Sequence, residues 1–178
     1  MGEYYLIDNG ILKAWNNKKD SHIVIPNGVI KIAGDNIHNS SPLDKNLPME
    51  GPFYSAFMRN ENIVSVEMSD SVKVVGAKAF EHCSNLKTVK LSKNLKEVEI
   101  MAFMGTNIEE LVFPEGFEKI GWNSFSLIPN LKTITFPKSL KEISEDGLSC
   151  NNDTVIKAPK DSFAIEYAKK HHIKYIEI

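Results

Sequence analysis

Cysteine, arginine and long apolar runs are scarce in this chain, and each scarcity excludes a class of protein. Two cysteines among 178 residues are too few for a disulfide framework. No apolar run approaches the roughly 20 residues of a membrane-spanning helix, so membrane insertion is not expected. Arg59 is the one arginine and the formal net charge is -2, whereas nucleic-acid-binding proteins carry a clustered basic surface rich in arginine. Nucleic acid is therefore not an expected partner.

The beginning of the chain carries no visible signal peptide. The first 25 residues contain the acidic side chains Glu3, Asp8 and Asp20 and no apolar block. A full-length chain of this kind is expected to stay in the cytoplasm. The composition, 42% hydrophobic and 25% charged, is that of an ordinary folded protein. The length predicts a single domain over residues 1–178.

Motifs that carry chemistry are also missing. The sequence contains no nucleophile elbow of the form G-x-S-x-G, no phosphate-binding loop and no H-E-x-x-H zinc motif. The adjacent pair His171 and His172 would not share a helix face, and no cysteine or histidine stands at ligand spacing from it. We therefore expect no catalytic residue, no cofactor, no metal site and no enzymatic activity.

A repeat of 22 or 23 residues is the dominant feature of the sequence. One ladder of large apolar residues advances in steps of 23, 23, 22 and 23 residues: Phe57, Phe80, Phe103, Phe125 and Leu148. A second ladder advances in steps of 23, 22, 23 and 22 residues: Met68, Leu91, Phe113, Phe136 and Ala158. Two independent ladders with the same step indicate a repeat architecture.

Every unit has the same internal order. An alternating run such as Ile108-x-x-Leu111-x-Phe113 predicts a short strand with one buried face. Proline follows at Pro114 and Pro137, where it ends the strand because it has no N–H to donate. One unit cannot bury its apolar face alone, so the units must stack, each strand pairing in parallel with its equivalent one repeat away at about 4.8 Å. The sequence therefore predicts a solenoid.

The units resemble the BspA-like leucine-rich repeats, also called the Treponema pallidum type. That pattern, I-G-x-x-A-F-x-x-C-x-x-L-x-x-I-x-L, is matched by Val75-Gly76-x-x-Ala79-Phe80-x-x-Cys83-x-x-Leu86-x-x-Val89-x-Leu91. The resemblance implies a right-handed, mostly β solenoid of coils with parallel strands, and a buried position for Cys83. It also implies bacterial or protist proteins, often displayed at the cell surface for adhesion or host contact.

The repeats are expected over residues 23–158. Residues 1–22 predict an N-terminal hairpin cap, because Asn9-Gly10 is a type I′ turn signal between apolar runs. Residues 36–52 break the repeat and are rich in Asn, Ser and Pro. They predict either a surface loop or a degenerate coil.

Residues 159–178 predict a C-terminal cap. Asp161-Ser162 offers an N-cap for a helix over 163–170, and a strand over 173–178 follows. This cap is expected to shield the last open edge of the array.

The outward face of the predicted strands is the first candidate binding surface. Leucine-rich repeat proteins generally bind partners on this sheet, since it is broad and preformed. Val112 stands out as an apolar side chain among polar neighbours, so it is either a contact anchor or a residue that merely favours the strand. The candidate partner-binding residues are Ser65, Glu67, Thr88, Lys90, Glu110, Val112, Thr133 and Thr135.

A column of apolar residues is the second candidate surface. It lies two residues after the Val75-type position and consists of Tyr54, Ala77, Ile100, Trp122 and Glu145. The candidate apolar interface is Tyr54, Ile100 and Trp122, because such stripes often mark interfaces and Trp and Tyr are favoured anchors. The alternative is that Ile100 and Trp122 fold onto the coil edge as part of the core.

Two further columns carry charges of alternating sign. Lys87, Glu109 and Lys132 form one of them, and Glu97, Lys119 and Glu142 form the other. Opposite charges on neighbouring strands stabilise a solvated ladder and keep it in register, so we interpret them as structural rather than catalytic.

These observations favour a non-catalytic module that binds a protein partner on a concave sheet, as in surface adhesion or partner recognition. A glycan or cell-wall binding module is the first alternative, since aromatic side chains such as Trp122 suit sugar rings. A structural scaffold that associates with a second copy of itself is the other alternative.

Overall fold

The computed structural model of this chain describes residues 5–15, 19–33, 56–149, 151 and 153–178. Each coil contributes one longer and one two-residue strand. The longer strands are β1 (Tyr5–Asp8), β2 (Ile11–Trp15), β3 (His22–Ile25), β5 (Ser65–Met68), β7 (Thr88–Lys90), β9 (Glu110–Val112), β11 (Thr133–Thr135), β13 (Val155–Ala158) and β14 (Lys174–Glu177). The two-residue strands are β4 (Lys31–Ile32), β6 (Val74–Val75), β8 (Glu97–Val98), β10 (Lys119–Ile120) and β12 (Glu142–Ile143), and the helix α1 spans Phe163–Lys170.

The described residues confirm the predicted solenoid of parallel strands. One side is a continuous sheet of seven strands in the order β1-β2-β4-β6-β8-β10-β12. The predicted strands form the other side, which we call the strand face: β3, β5, β7, β9, β11 and β13. All neighbours are parallel except β1 and β2, which pair antiparallel. The continuous sheet was not anticipated, since two-residue strands show no alternation to detect in sequence.

A column of stacked phenylalanine rings runs through the core and confirms the first ladder. Ring centroids lie 5.0 Å apart between Phe57 and Phe80, 5.3 Å between Phe80 and Phe103, and 5.6 Å between Phe103 and Phe125. All four rings are buried. Trp15 extends the column at its N-terminal end, 5.8 Å from Phe57. The rings therefore stack at a spacing close to that of the strands, about 4.8 Å.

The N-terminal hairpin forms as predicted. Asn9 and Gly10 join β1 to β2 with φ angles of 49° and 77°, and a type I′ turn requires a positive φ at both positions. Leu12 of β2 is fully buried, and its strand pairs in parallel with β4. The hairpin thus covers the first edge of the continuous sheet.

The C-terminal cap forms as predicted. The helix has the predicted bounds and Ser162 is its N-cap residue, although the Ser162 hydroxyl makes no cap hydrogen bond. β14 pairs with β13 and thus covers the edge of the last repeat strand. β14 itself stands at the end of its sheet in the described chain, with the exposed side chains Tyr175 and Ile176.

Unbroken pairing along the strand face is an expectation that the structure corrects. The face is divided into a three-stranded sheet, β3-β5-β7, and a four-stranded sheet, β14-β13-β11-β9. β7 and β9 come from consecutive coils and yet belong to different sheets. One residue is missing from the turn between Phe103 and Ile108, compared with the turn between Phe80 and Leu86. The turn after Leu148 is also one residue short, since Val155 follows Leu148 by seven residues and Thr133 follows Phe125 by eight. Because β11 and β13 nevertheless pair, the shorter turn alone does not account for the break.

Residues 36–52 lie outside the described residues, so their assignment as a loop or a degenerate coil stays a prediction. The strands on either side of them pair directly. β3 pairs with β5 in register from His22 opposite Ser65 to Ile25 opposite Met68, and β4 pairs with β6. No described strand intervenes between these neighbours.

The phenylalanine column predicts a large cost for losing one ring. Phe80→Ala should lower the free energy of unfolding by about 3–5 kcal/mol, since it removes a buried ring stacked on both sides. Leu127→Ala is the control, because Leu127 is 64% exposed, and it should change stability by no more than about 0.5 kcal/mol. Urea unfolding followed by circular dichroism measures both. Equal effects of the two substitutions would contradict this role of the column.

Candidate interaction surfaces

The strand face presents its predicted residues outward, as the period-2 pattern requires. In β9, Glu110 and Val112 are exposed while Leu111 between them is buried. The same alternation holds in β5 and β11, where the outward residues are partly buried. The outward residues of β5, β7, β9 and β11 are the predicted ones: Ser65, Glu67, Thr88, Lys90, Glu110, Val112, Thr133 and Thr135.

Polar contacts between neighbouring strands fix part of this face. The Lys90 ammonium lies 2.5 Å from a Glu67 carboxylate oxygen, and His22 Nδ1 lies 2.6 Å from the Ser65 hydroxyl. The hydrogen bond and charge of Lys90 lower the pKa of Glu67 and thus keep this carboxylate ionised. The N-terminal part of the face therefore already satisfies its polar side chains.

Val112 is the most exposed large apolar side chain of this face, at 59%, and Val24 of β3 is 48% exposed. It lies opposite Thr135 in the register of β9 and β11, while the other side of β9 adjoins the break in the sheet. The structure thus places an exposed apolar side chain beside the discontinuity, near the middle of the array.

The alternating charge columns form as predicted. Lys132 Nζ lies 2.8 Å from a Glu109 carboxylate oxygen. On the continuous sheet, Lys119 lies 4.0 Å from Glu97 and 3.5 Å from Glu142. Each cation stands beside an acidic residue of a neighbouring coil, so these charges favour the observed register.

The predicted apolar column does not form a continuous stripe among the described residues. Tyr54 lies outside those residues. Ala77 is buried and Ile100 is partly buried, whereas Trp122 is 42% exposed and Glu145 is exposed. Partial burial of Ile100 agrees with the alternative that it packs on the coil edge, whereas Trp122 is exposed; their role as an interface stays a prediction.

Cys83 lies in the core, as the resemblance implies. Its thiol donates to the Phe57 carbonyl oxygen at 3.0 Å, and burial raises its pKa to about 12. At ordinary pH the group is a protonated thiol, which is a poor nucleophile and a poor metal ligand. Cys150 lies outside the described residues, so the predicted separation of the two thiols stays a prediction.

Histidine has local partners at two of the described positions. His22 contacts Ser65, and the ring of His171 stacks on Tyr167 with centroids 4.1 Å apart. Within the described part of the chain, no three His, Cys, Asp or Glu side chains converge as metal ligands.

Two apolar features at the C-terminal end were not found by sequence reasoning. The first is the exposed row on β14 and just after it, Tyr175, Ile176 and Ile178. The second is a shallow cavity of about 400 Å³ between α1 and the last coil, lined by Ile143, Phe163, Tyr167 and His171 among others. The sequence predicted the strand and the helix, but it did not predict that some of their apolar side chains would be exposed to solvent.

The stacked coils, the parallel strands and the buried ladders define a leucine-rich repeat solenoid. The sequence profile described as BspA type leucine rich repeat region matches residues 54–169 in six copies. This match covers about two thirds of the sequence, so the chain belongs to the BspA-type leucine-rich repeat family. Domains of this kind are in general scaffolds for protein interaction and are typically non-catalytic.

Solved structures of bacterial proteins share the fold. The Treponema pallidum leucine rich repeat protein is 23% identical, with a TM-score of 0.66 over 83% of this chain and 62% of that one. The pneumococcal vaccine antigen PcpA is 15% identical, with a TM-score of 0.63 over 99% of this chain and 48% of that one. A leucine-rich repeat protein from Eubacterium ventriosum is 18% identical, with a TM-score of 0.58 over 88% and 41%.

The chain spans less than two thirds of the length of each of these proteins. At these identities the likeness establishes the fold alone. No curated protein sequence matches the chain. Among the described residues, no helix has the length and apolar character needed to cross a membrane.

The pair of Lys132 and Glu109 predicts a pH effect with a definite sign. The hydrogen bond and charge of Lys132 lower the pKa of Glu109 from its usual 4.5. The pair therefore contributes stability above the unfolded-state pKa, and this stability is lost as the pH falls through the lower native pKa. In Lys132→Met the native pKa of Glu109 should rise toward 4.5, as measured by NMR titration of the carboxyl carbon.

Lys138→Met is the matched control, since Lys138 lies in the turn after β11 and has the same charge. It should leave the pKa of Glu109 nearly unchanged. If both variants raised that pKa equally, the cause would be the net charge of the protein rather than the pair.

Proposed function

We propose that this chain is a non-catalytic module that binds a protein partner on the outward side of the strand face. The observation that carries the proposal is the exposure of Val112 at 59% on a face whose other outward side chains are mainly polar. An exposed apolar residue framed by polar groups is the usual anatomy of a binding patch. The role fits adhesion or recognition of a partner molecule.

The rigidity of the face supports the proposal. The outward residues stand on short strands whose inward neighbours are buried, such as Val66, Leu111 and Ile134. A surface held by a core in this way loses little conformational entropy on binding, which favours affinity. The charges of the face have both signs, with Lys90 and Glu110 exposed, so a partner of mixed charge fits it better than a polyanion.

A charge-preserving pair of substitutions tests the face. Thr88→Lys combined with Val112→Glu alters the strand face without changing net charge. Glu97→Lys combined with Lys119→Glu is the matched control on the continuous sheet, since it also preserves net charge and keeps opposite signs at positions 97 and 119. Circular dichroism checks that this control folds, because position 119 also faces Glu142. A partner is first captured from the source cells with the unaltered chain and purified, and its affinity is then measured by calorimetry.

The strand-face variant should bind at least about tenfold more weakly, as expected when a central anchor is lost. The control should bind as the unaltered chain does. Loss in the control alone would move the site to the continuous sheet, and equal binding by all three proteins would refute the proposal. A partner that proves to be a glycan would replace it with the alternative in which Trp122, 42% exposed, stacks on a sugar ring.

Self-association is a second candidate, because β14 leaves an apolar edge uncovered. Ile176 is 49% exposed and Tyr175 is 41% exposed, and an edge strand of this kind is a template for pairing with another chain. The occupant that we propose is the β14 edge of a second copy, so that the two edges pair about a twofold axis.

Sedimentation velocity over a wide concentration range tests this candidate. The unaltered chain should form dimers as its concentration rises, and Ile176→Lys should remain monomeric. Ile7→Lys is the control, since Ile7 is 41% exposed on β1 at an edge of the continuous sheet. If the unaltered chain is a monomer at every concentration, self-association is refuted. If Ile7→Lys abolishes the dimer and Ile176→Lys does not, the contact lies at the hairpin.

A further inference from the structure

The break between β7 and β9 is a slit in the strand face. Most Cα–Cα distances between these two strands exceed 8 Å, whereas paired strands lie about 4.8 Å apart. The coils meet on either side of the slit. The Glu109 N–H donates to the Lys87 carbonyl at 3.3 Å before the two strands, and the Glu118 N–H donates to the Lys96 carbonyl at 2.9 Å after them.

Two of the backbone hydrogen bonds that join neighbouring strands elsewhere on the strand face are absent at the slit. In the next pair of coils, the Phe113 N–H donates to the Thr135 carbonyl at 2.9 Å and the Thr133 N–H donates to the Glu109 carbonyl at 3.5 Å. The equivalent donors beside the slit are the N–H groups of Leu91 and Glu110, and neither forms the corresponding bond in the described chain. The two facing strand edges therefore offer backbone groups that a strand would satisfy.

The floor of the slit is apolar. Val89 and Leu91 occupy inward positions and pack against the core, but they are only partly buried. Their equivalents one coil earlier, Val66 and Met68, are 2% and 3% exposed. Val112, beside the slit, is also exposed. The slit thus combines partly exposed apolar side chains with strand edges whose backbone groups lack the usual partners.

We propose that the slit binds an extended peptide segment of the partner protein by strand addition. The segment pairs its backbone with the free edges of β7 and β9 and directs an apolar side chain onto Val89 and Leu91. An extended chain is the occupant because its N–H and C=O groups alternate with the spacing that a strand edge requires. This inference rests on the proposed function, since it assigns the mode of binding to the same face.

A single-residue insertion that gives the turn the length found in the preceding coil tests the proposal. Inserting serine between Thr106 and Asn107 converts the turn to the pattern Thr-Ser-Asn-Ile, which matches Cys83-Ser84-Asn85-Leu86 of the preceding coil. β9 should then move into register with β7. In the peptide-free insertion variant, the amides of Leu91 and Glu110 should become protected from hydrogen exchange, as those of Phe113 and Thr133 should be in the unaltered chain, where both donate backbone hydrogen bonds.

The binding probe is a phage-displayed library of random 12-residue peptides selected on the unaltered chain. Enriched peptides should have apolar residues at alternate positions and should protect the Leu91 and Glu110 amides from exchange. Their affinity should fall roughly tenfold or more for the insertion variant, the loss expected when two ordinary hydrogen bonds are removed. Val89→Thr, which keeps the side-chain shape and adds a hydroxyl, should also weaken binding, whereas the control Trp122→Ser should not.

The outcomes separate this proposal from the proposed function. If peptides are not enriched, or if enriched peptides leave the Leu91 and Glu110 amides unprotected, strand addition at the slit is refuted. If the purified partner loses affinity for the variant with Thr88→Lys and Val112→Glu and yet binds the insertion variant normally, the strand face still binds the partner and only the slit is excluded. If the insertion variant fails to fold, two other measurements test strand addition. They are the protection of the Leu91 and Glu110 amides by enriched peptides in the unaltered chain, and the affinity of these peptides for Val89→Thr.

Discussion

The stacking of one phenylalanine ring per coil is the constraint on which the rest of the structure depends. Centroid spacings of 5.0 to 5.6 Å from Phe57 to Phe125 are close to the distance between hydrogen-bonded strands. Ring contact and strand pairing therefore favour the same rise per coil. Since each coil contacts only its neighbours, stability is approximately a sum of local terms, and a ring that is lost weakens two interfaces at once.

Much of this architecture could be predicted from sequence because it is periodic. The ladder from Phe57 to Leu148 located the core, and the period-2 pattern around Val112 identified which side chains face outward. The continuous sheet was missed, since a pair such as Glu97–Val98 is too short to show any alternation. Burial of Ile100 was left open because spacing places a residue in a column without fixing how its side chain lies.

The break in the strand face could not be located from the spacing of the two ladders. The first ladder advances 23 residues from Phe80 to Phe103, while the second advances only 22 from Leu91 to Phe113, so a residue is missing after Phe103. The same difference recurs after Leu148, because the second ladder advances only 22 residues from Phe136 to Ala158. There β11 and β13 still pair, so a shorter turn does not by itself predict where the strand pairing is interrupted.

One sheet of the solenoid is continuous and the other is interrupted, and this asymmetry has a mechanical consequence. At the junction of β7 and β9, the coils stay joined through β8 and β10 and through the contact of Phe103 with Phe125. The strand face at this junction lacks the pairing between β7 and β9 and is held by the Glu109–Lys87 and Glu118–Lys96 backbone hydrogen bonds on either side of the slit. Resistance to bending at this point therefore depends mainly on the continuous sheet and on the core. A segment that paired with both strands, as proposed, would add backbone hydrogen bonds on the side that lacks them.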